Sequence, residues 1–389
     1  MAYINIINGR IIAPSGIIEG GSLLIRDGKI ADVSHTPLLI EAAQQIDAGG
    51  CYVAAGGIDI HVHGGGGRDF IEATPEAFLA VAEAHARYGT TAILPTIAAQ
   101  PVKVFEQAIH SCETVRNEPR QGARILGLHL EGNYLNPVMR GGQEADYLSL
   151  PDKAEYVRLL DSTGVIKRWT AAPELTGALD FGRYAAERGV IVSLGHTTAG
   201  YEMVKTASEA GYSHVTHFYN AMTGVHREGM FKHEGTIEAV YLTDSLTVEL
   251  VADGIHVPPA ILKMVYKYIG AERIALVTDA MMAAAYDGEA SMYGGRVILE
   301  NGVCILADHS AISGSIATVS RAIRTMTHLA GVPLPDAVRM ASETPARILG
   351  ISDRKGTLAK GKDADIIIFD DNICIKTTII EGSVVYRTT

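Results

Sequence analysis

An alternation constrains this chain more than any other feature. Short β-rich apolar runs at 52–60, 90–97, 123–131, 168–174, 190–196, 213–219, 246–253 and 273–279 are separated by longer stretches. Six of these, Pro75–Tyr88, Val102–Arg116, Tyr156–Ser162, Leu179–Arg188, Tyr201–Ala210 and Pro259–Ile269, place apolar residues at helical spacing. Eight strand–helix units closing into one layer predict an α/β fold, the (β/α)8 TIM barrel. A doubly wound open sheet is the competing arrangement, but no Gly-rich turn follows a first strand here.

The two ends of the chain have a different texture. YINIINGRII (3–12) and SLLIRDGKIADV (22–33) each set Asn-Gly or Asp-Gly between β-rich runs, which predicts hairpins. Near the C-terminus, DADIIIFD (363–370) and TTIIEGSVVYR (377–387) read as two more strands after the Gly/Lys-rich GTLAKGKDAD. Two separate small sheets would each have a poor core. The expectation is one small β-sandwich built from 1–54 plus 353–389, interrupted by a barrel over 55–352.

Composition narrows the partners. With 33 Lys+Arg against 44 Asp+Glu the net charge is −11, which argues against nucleic acid. An anionic small substrate would need a locally positive pocket. The N-terminal MAYINIINGR lacks a secretory pattern, and no apolar run approaches about 18 residues, so no membrane partner is expected. Cys51, Cys112, Cys304 and Cys374 are scattered without a CxxC pair, as in a reducing compartment. The expected location is cytoplasmic.

In such a barrel, chemistry gathers at the C-terminal ends of the strands. Six of the eight runs end in His, Glu or Asp: His61 and His63, Glu131, His196, His217, Asp253 with His256, and Asp279. A single His is most simply a satisfied core or surface group, and His85, His110, His233 and His328 are read that way. His129 and His214 fall inside their runs, as packing or supporting groups. Five His and three carboxylates on one rim are costly unless something binds them. Imidazole and carboxylate suit Zn²⁺ and Fe²⁺, and His61 and His63, two apart on a strand, point the same way. A divalent ion acidifies water and polarises carbonyls, so hydrolysis is the expected chemistry, with Asp279 placed to move the proton. Glu131 is positioned to bridge two ions if both are present.

At these residues the chain resembles the amidohydrolase superfamily, and within it the deacetylases of phosphorylated amino sugars. The motifs are HLEG (129–132), LGHT (194–197), THFYNAM (216–222), ADGIHV (252–257), LVTDAM (276–281) and ISGS (312–315), spread over essentially the whole chain. The resemblance implies hydrolysis of N-acetyl-D-glucosamine 6-phosphate to D-glucosamine 6-phosphate and acetate by a metal-activated water. The galactosamine analogue is the alternative substrate. It implies metal binding by Glu131, His196 and His217, and a second site at His61 and His63 that some members have lost; Asp279 would also touch the metal. It further implies Asp279 as general base and acid, and His256 as the group that polarises the acetamide carbonyl. Asn220, Ala221 and Arg227, with His226 beside it, match sugar-phosphate contacts, and Gly142, Gln143, Ile312, Ser313 and Gly314 line the sugar pocket. One or two ions, Zn or Fe, and a homodimer whose loop reaches the neighbouring pocket are also implied. Two stretches depart from the family pattern: Asn133-Tyr134 after HLEG, and Arg227-Glu228-Gly229-Met230.

Two rival readings are weaker. Cyclic amide hydrolases of the superfamily typically use a Lys at the end of strand four, where this chain has Arg168-Trp169-Thr170-Ala171-Ala172-Pro173-Glu174. A non-catalytic barrel would be expected to lose ligands, and all six are present.

Overall fold

The computed structural model describes residues 3–38, 40, 43–116, 122–286, 288 and 297–388. The chain begins with β1 (Tyr3–Ala13), β2 (Gly16–Arg26), β3 (Lys29–Ser34), β4 (Gln44–Asp47) and β5 (Tyr52–Ala55). The barrel strands follow as β6 (Gly57–Val62), β7 (Thr90–Ala98), β8 (Leu128–Glu131), β9 (Ile166–Ala171), β10 (Ile191–Leu194), β11 (Tyr212–Val215), β12 (Thr247–Val251) and β13 (Ile274–Val277). The C-terminus supplies β14 (Ile366–Phe369), β15 (Ile375–Ile380) and β16 (Ser383–Arg387).

The barrel strands pair in parallel in chain order, β6 to β13. No ladder joins the last strand to the first. Instead the Asp279 N–H donates to the His61 carbonyl at 2.9 Å, and Thr278 Oγ1 donates to Asp59 Oδ2 at 2.6 Å. Outer helices include α1 (Pro75–Ala86), α2 (Val102–Val115), α3 (Lys153–Ser162), α4 (Ala178–Glu187), α5 (Tyr201–Glu209), α6 (Thr236–Tyr241), α7 (Pro259–Ile269) and α8 (Val319–Arg324). Caps set their starts: Thr74 accepts from the Ala77 N–H, and Asp152 from Ala154 and Glu155. Outward side chains such as Ile93, Leu130, Trp169, Val192 and Leu250 form the main core against the helices. Among them Trp169 stacks on Tyr134 with centroids 5.4 Å apart.

The barrel interior is polar. Asp59, His61, Thr96, His129, Arg168, Thr170, Ser193, His214, Thr216, Glu249 and Thr278 are all fully buried. Their two-residue spacing along single strands (59 and 61; 168 and 170; 214 and 216) puts them on one face of the sheet.

Both termini meet in one sheet, ordered β16-β15-β14-β5-β1-β2-β3 with β4 beside β1. It folds over its own core of Ile6, Ile11, Leu23, Ile25, Val53, Ile366, Ile368 and Ile379. Two details differ from the reading of the sequence. Run 52–60 is two strands, since Tyr52–Ala55 pairs with β1 and β14 while Gly57–Val62 opens the barrel. Gly56 makes the passage, where a Cβ would lie 2.1 Å from Thr91 Cγ2. Asn8-Gly9 is not a hairpin turn but a bulge within the continuous β1. There Asn8 is left-handed (φ 57), and β1 changes its parallel neighbour from β4 to β5. The Asp27-Gly28 turn is the hairpin the sequence predicts, with both residues at positive φ.

Candidate active site

The rim groups come from successive strand ends. His61 is in β6 and Glu131 is the last residue of β8, while His196, His217 and Asp279 each stand two residues past β10, β11 and β13. Those three occupy the left-handed region (φ 49, 28 and 47), rare for residues with a side chain. Strain held by surrounding structure is common where side chains must be aimed at a ligand.

Two clusters result, His61–His63–Asp279 and Glu131–His196–His217, all buried. His63 Nε2 lies 3.2 Å from Asp279 Oδ1 and 3.2 Å from Glu131 Oε2, so the clusters adjoin at Glu131. Glu131 Oε1 is 3.0 Å from His217 Nε2 and 3.3 Å from His196 Nε2, and those two nitrogens are 3.0 Å apart. The outer nitrogens settle the chemistry of this donor set. His196 Nδ1–H donates to the Met139 carbonyl at 2.8 Å and His61 Nδ1–H to Glu249 at 3.0 Å. Their Nε2 lone pairs therefore face carboxylates and other imidazoles. A knot of acceptor atoms this close fits a divalent cation.

Charge follows from this crowding. Where protons stand on these Nε2 atoms in place of a cation, burial would still raise the Glu131 carboxyl, but the His61 charge and hydrogen bonds from His196, His217 and His61 hold it well below the usual carboxylate range. Asp279 is also lowered: burial opposes this, and the charge of His61 and the hydrogen bond from His63 outweigh it.

A cavity of about 480 Å³ opens over the clusters, lined by Gly142, Gln143, Asn220, Ala221, His256, Ile312, Ser313 and Gly314 among others. Gln143 donates to Glu131 Oε2 at 2.9 Å and accepts from the Ala99 N–H at 2.8 Å. Gly142 sits so close to Ser313 that a Cβ would meet its Oγ at 2.8 Å. The Ile312–Ser315 strand is tied down by the Ser315 N–H, which donates to the Asp279 carbonyl at 2.8 Å. His256 donates Nδ1–H to Asp253 Oδ2 at 2.7 Å, leaving Nε2 as its free ring nitrogen. Asp253 Oδ1 accepts from the Ile255 and His256 N–H groups at 2.8 and 2.9 Å. Burial works to raise Asp253, yet the hydrogen bond and charge of His256 lower it.

Arg227 and His226 are not brought to this cavity. They lie on an exposed hairpin, His226–Glu228 against Phe231–His233, whose backbone pairs with itself and projects from the barrel. Among the described residues lining the cavity there is no Lys or Arg. The Asn133-Tyr134 departure is absorbed by packing: Asn133 brackets the Gln100 backbone at 3.1 and 2.9 Å, and Tyr134 is buried with its hydroxyl on Glu155.

Of the other histidines, His85 is buried with Nε2 on the Gly64 carbonyl at 2.9 Å, and His110, His233 and His328 are exposed. His129 is held between Thr96 (3.1 Å) and Thr170 (2.7 Å). Burial, then the Arg168 charge, pushes His129 well below the usual range, so it stays neutral. Strand-end reading missed the layer beneath the rim, including Arg168 and Glu249. Their signal is a charged residue inside a barrel strand, two positions from a Thr of the same strand: Arg168 with Thr170, Glu249 with Thr247.

A barrel with paired imidazoles on its first strand and a carboxylate after its last defines a metal-dependent hydrolase of amide-type bonds. The chain belongs to the amidohydrolase family, whose sequence profile matches residues 52–385. It is 31% identical over 381 residues to the N-acetylglucosamine-6-phosphate deacetylase of Bacillus subtilis (strain 168), covering 97% of this chain and 95% of that one. It is 32% identical over 375 residues to the N-acetylgalactosamine-6-phosphate deacetylase of Escherichia coli O157:H7, covering 96% and 97%. The fold superposes with a TM-score of 0.91 on the Mycobacterium smegmatis N-acetyl-D-glucosamine-6-phosphate deacetylase in complex with N-acetyl-D-glucosamine-6-phosphate, at 28% identity and full coverage of both chains.

Proposed function

We propose that this chain hydrolyses the acetamide of N-acetyl-D-glucosamine 6-phosphate, releasing acetate and D-glucosamine 6-phosphate, in amino-sugar catabolism or cell-wall sugar recycling. The observation that carries this reading is the pair of His/carboxylate clusters meeting at Glu131 on the floor of a sugar-sized cavity. Glu131, His196 and His217 would hold one ion, and His61, His63 and Asp279 a second, with Zn²⁺ or Fe²⁺ suited to these donors. A divalent ion bound there polarises the acetamide carbonyl and acidifies a water.

The chain's own groups do the rest. Asp279 takes the proton of the attacking water and delivers it to the departing amine. His256, its Nδ1–H held by the Asp253 carboxylate, turns Nε2 to the carbonyl oxygen, where a proton on that nitrogen would be donated to the charge that develops. Gln143 holds Glu131, while Gly142, Asn220, Ala221 and the 312–314 segment enclose the sugar.

The phosphate has no cationic side chain among the described residues of the cavity, so Arg227 and His226 serve the pocket of a partner in a homodimer. Val225 (61% exposed), Met230 (80%) and Phe231 (67%) beside them form an apolar patch suited to such a contact. The location is cytoplasmic, consistent with four scattered cysteines that form no CxxC pair.

Assaying acetate release from phosphorylated and unphosphorylated N-acetylglucosamine and N-acetylgalactosamine tests the reading. The 6-phosphate of N-acetylglucosamine should be preferred, and equal rates without phosphate would overturn the phosphate contacts. Arg227→Ala should raise KM for the phosphorylated sugar by about tenfold or more, leave the unphosphorylated one unchanged, and keep the dimer in light scattering.

A further inference from the structure

Glu249 sits mid-strand in β12, fully buried, one layer beneath the two clusters. Its Oε2 accepts the His61 Nδ1–H at 3.0 Å and the His217 backbone N–H at 2.9 Å. One oxygen atom thus touches a residue of each cluster. Its Oε1 is paired with Arg168 and lies 3.6 Å from His214 Nε2. Arg168, fully buried on β9, spends its other donors on Ser193 Oγ (2.7 Å), Thr216 Oγ1 (2.7 Å) and the Ile60 carbonyl (3.2 Å).

We infer that Glu249 is a positioning residue for both metal clusters at once, and that Arg168 is its anchor. The inference rests on reading the clusters as metal sites. A carboxylate on Nδ1–H fixes the His61 tautomer, aims its Nε2 lone pair at the cluster and makes that nitrogen a stronger donor. At His217 the same oxygen restrains a backbone held at φ 28, which sets the direction of the imidazole. Arg168 cancels the carboxylate's charge and, held by Ser193, Thr216 and the Ile60 carbonyl, denies it any other orientation. Gln143, by contrast, touches Glu131 alone among the ligands, so its loss would disturb one residue rather than couple two. A plain barrel core would be filled by branched apolar residues. The ion pair is what this barrel has in their place.

The test is Co²⁺ binding to the full chain by equilibrium dialysis, with the visible Co²⁺ spectrum as a second reading. Wild type is compared with Glu249→Gln and with the double variant Arg168→Met/Glu249→Gln. Removing one partner strands a buried charge, whereas the double variant removes both and keeps the fold testable. Glu249→Gln should weaken Co²⁺ binding about 10–100-fold at both clusters together and alter the spectrum. The double variant should show the same loss with a cooperative unfolding transition. A folded variant with wild-type affinity and spectrum would overturn the inference, as would weakening confined to one cluster or a wild type that binds no Co²⁺. Deacetylation is not the readout, so a wild type inactive on the proposed sugar would defeat the substrate reading and leave this one decided by Co²⁺ alone.

Discussion

At the scale of single residues, Asp279 and Asp253 divide two kinds of work. Asp279 faces the clusters, and Asn in its place keeps the shape but cannot take a proton. Asp279→Asn should lower kcat by about 10²–10⁴, while elemental analysis still finds metal at Glu131, His196 and His217. Retained turnover would refute the proton-transfer role. Asp253 lies behind His256, and two backbone N–H groups already claim its Oδ1. An Asn there would keep its oxygen on those amides and turn NH₂ to the imidazole, so the Nδ1–H loses its acceptor and His256 the carboxylate that orients it. Asp253→Asn should therefore reduce kcat by about 10–100-fold, the scale reported for such supporting contacts, with KM little changed; an unchanged kcat would show that His256 needs no partner. Individual strand-end residues were legible in the sequence because barrel chemistry has a fixed address. Asp253 stood in the same motif as His256 but was silent about its job, since a contact three residues away depends on turn geometry.

At the scale of elements, the segment before β14 is pinned by charge. Asp363 pairs with Lys29, with Lys355 at 3.0 Å and with Arg354 at 3.1 Å. Burial would raise its carboxyl, but hydrogen bonds from Lys29 and Lys355 hold it down at about 2. A lowered carboxyl stabilises the fold above its unfolded value near 4 and loses that contribution as pH falls through about 2. Wild type should lose about 1–2 kcal/mol across that window, discounted for solvent screening. Asp363→Asn should be less stable at pH 7 and lack this acid limb in urea titrations; parallel pH profiles would exclude the assignment. Most barrel strands and helices were readable from periodicity. The division of run 52–60 was not, because two largely buried strands joined by Gly56 look like one apolar run. Asn8-Gly9 misled for a related reason: the bulge and the hairpin turn both need a left-handed Asn.

At the scale of the molecule, the ligands tie β6, β8, β10, β11 and β13 to one point, so metal should act as a rivet. Chelated protein should melt at lower temperature and be inactive. Restoring Zn²⁺ or Fe²⁺ to about 100-fold over its dissociation constant should return about 2.7 kcal/mol of stability; an unchanged melting temperature would deny the ion a structural share. The acidic total of −11 is not surface charge alone, since Asp59, Glu131, Glu249, Asp253 and Asp279 are buried. The polar interior escaped a reading of strand ends, because Arg168 and Glu249 come from strands far apart in sequence and meet only once the barrel closes.

The pairing of β5 with β14 also fixes a schedule. Residues 52–55 wait for residues 366–369, so at synthesis rates of roughly 5–20 residues per second the first sheet has an open edge on the ribosome for roughly 15–60 seconds. Throughout that time β5 offers unpaired backbone groups to any neighbouring nascent chain. The last strands made are the ones that end this exposure, so ribosome stalling or truncation near the 3′ end of the message would release a chain whose barrel residues are all present and whose earliest sheet is still adhesive.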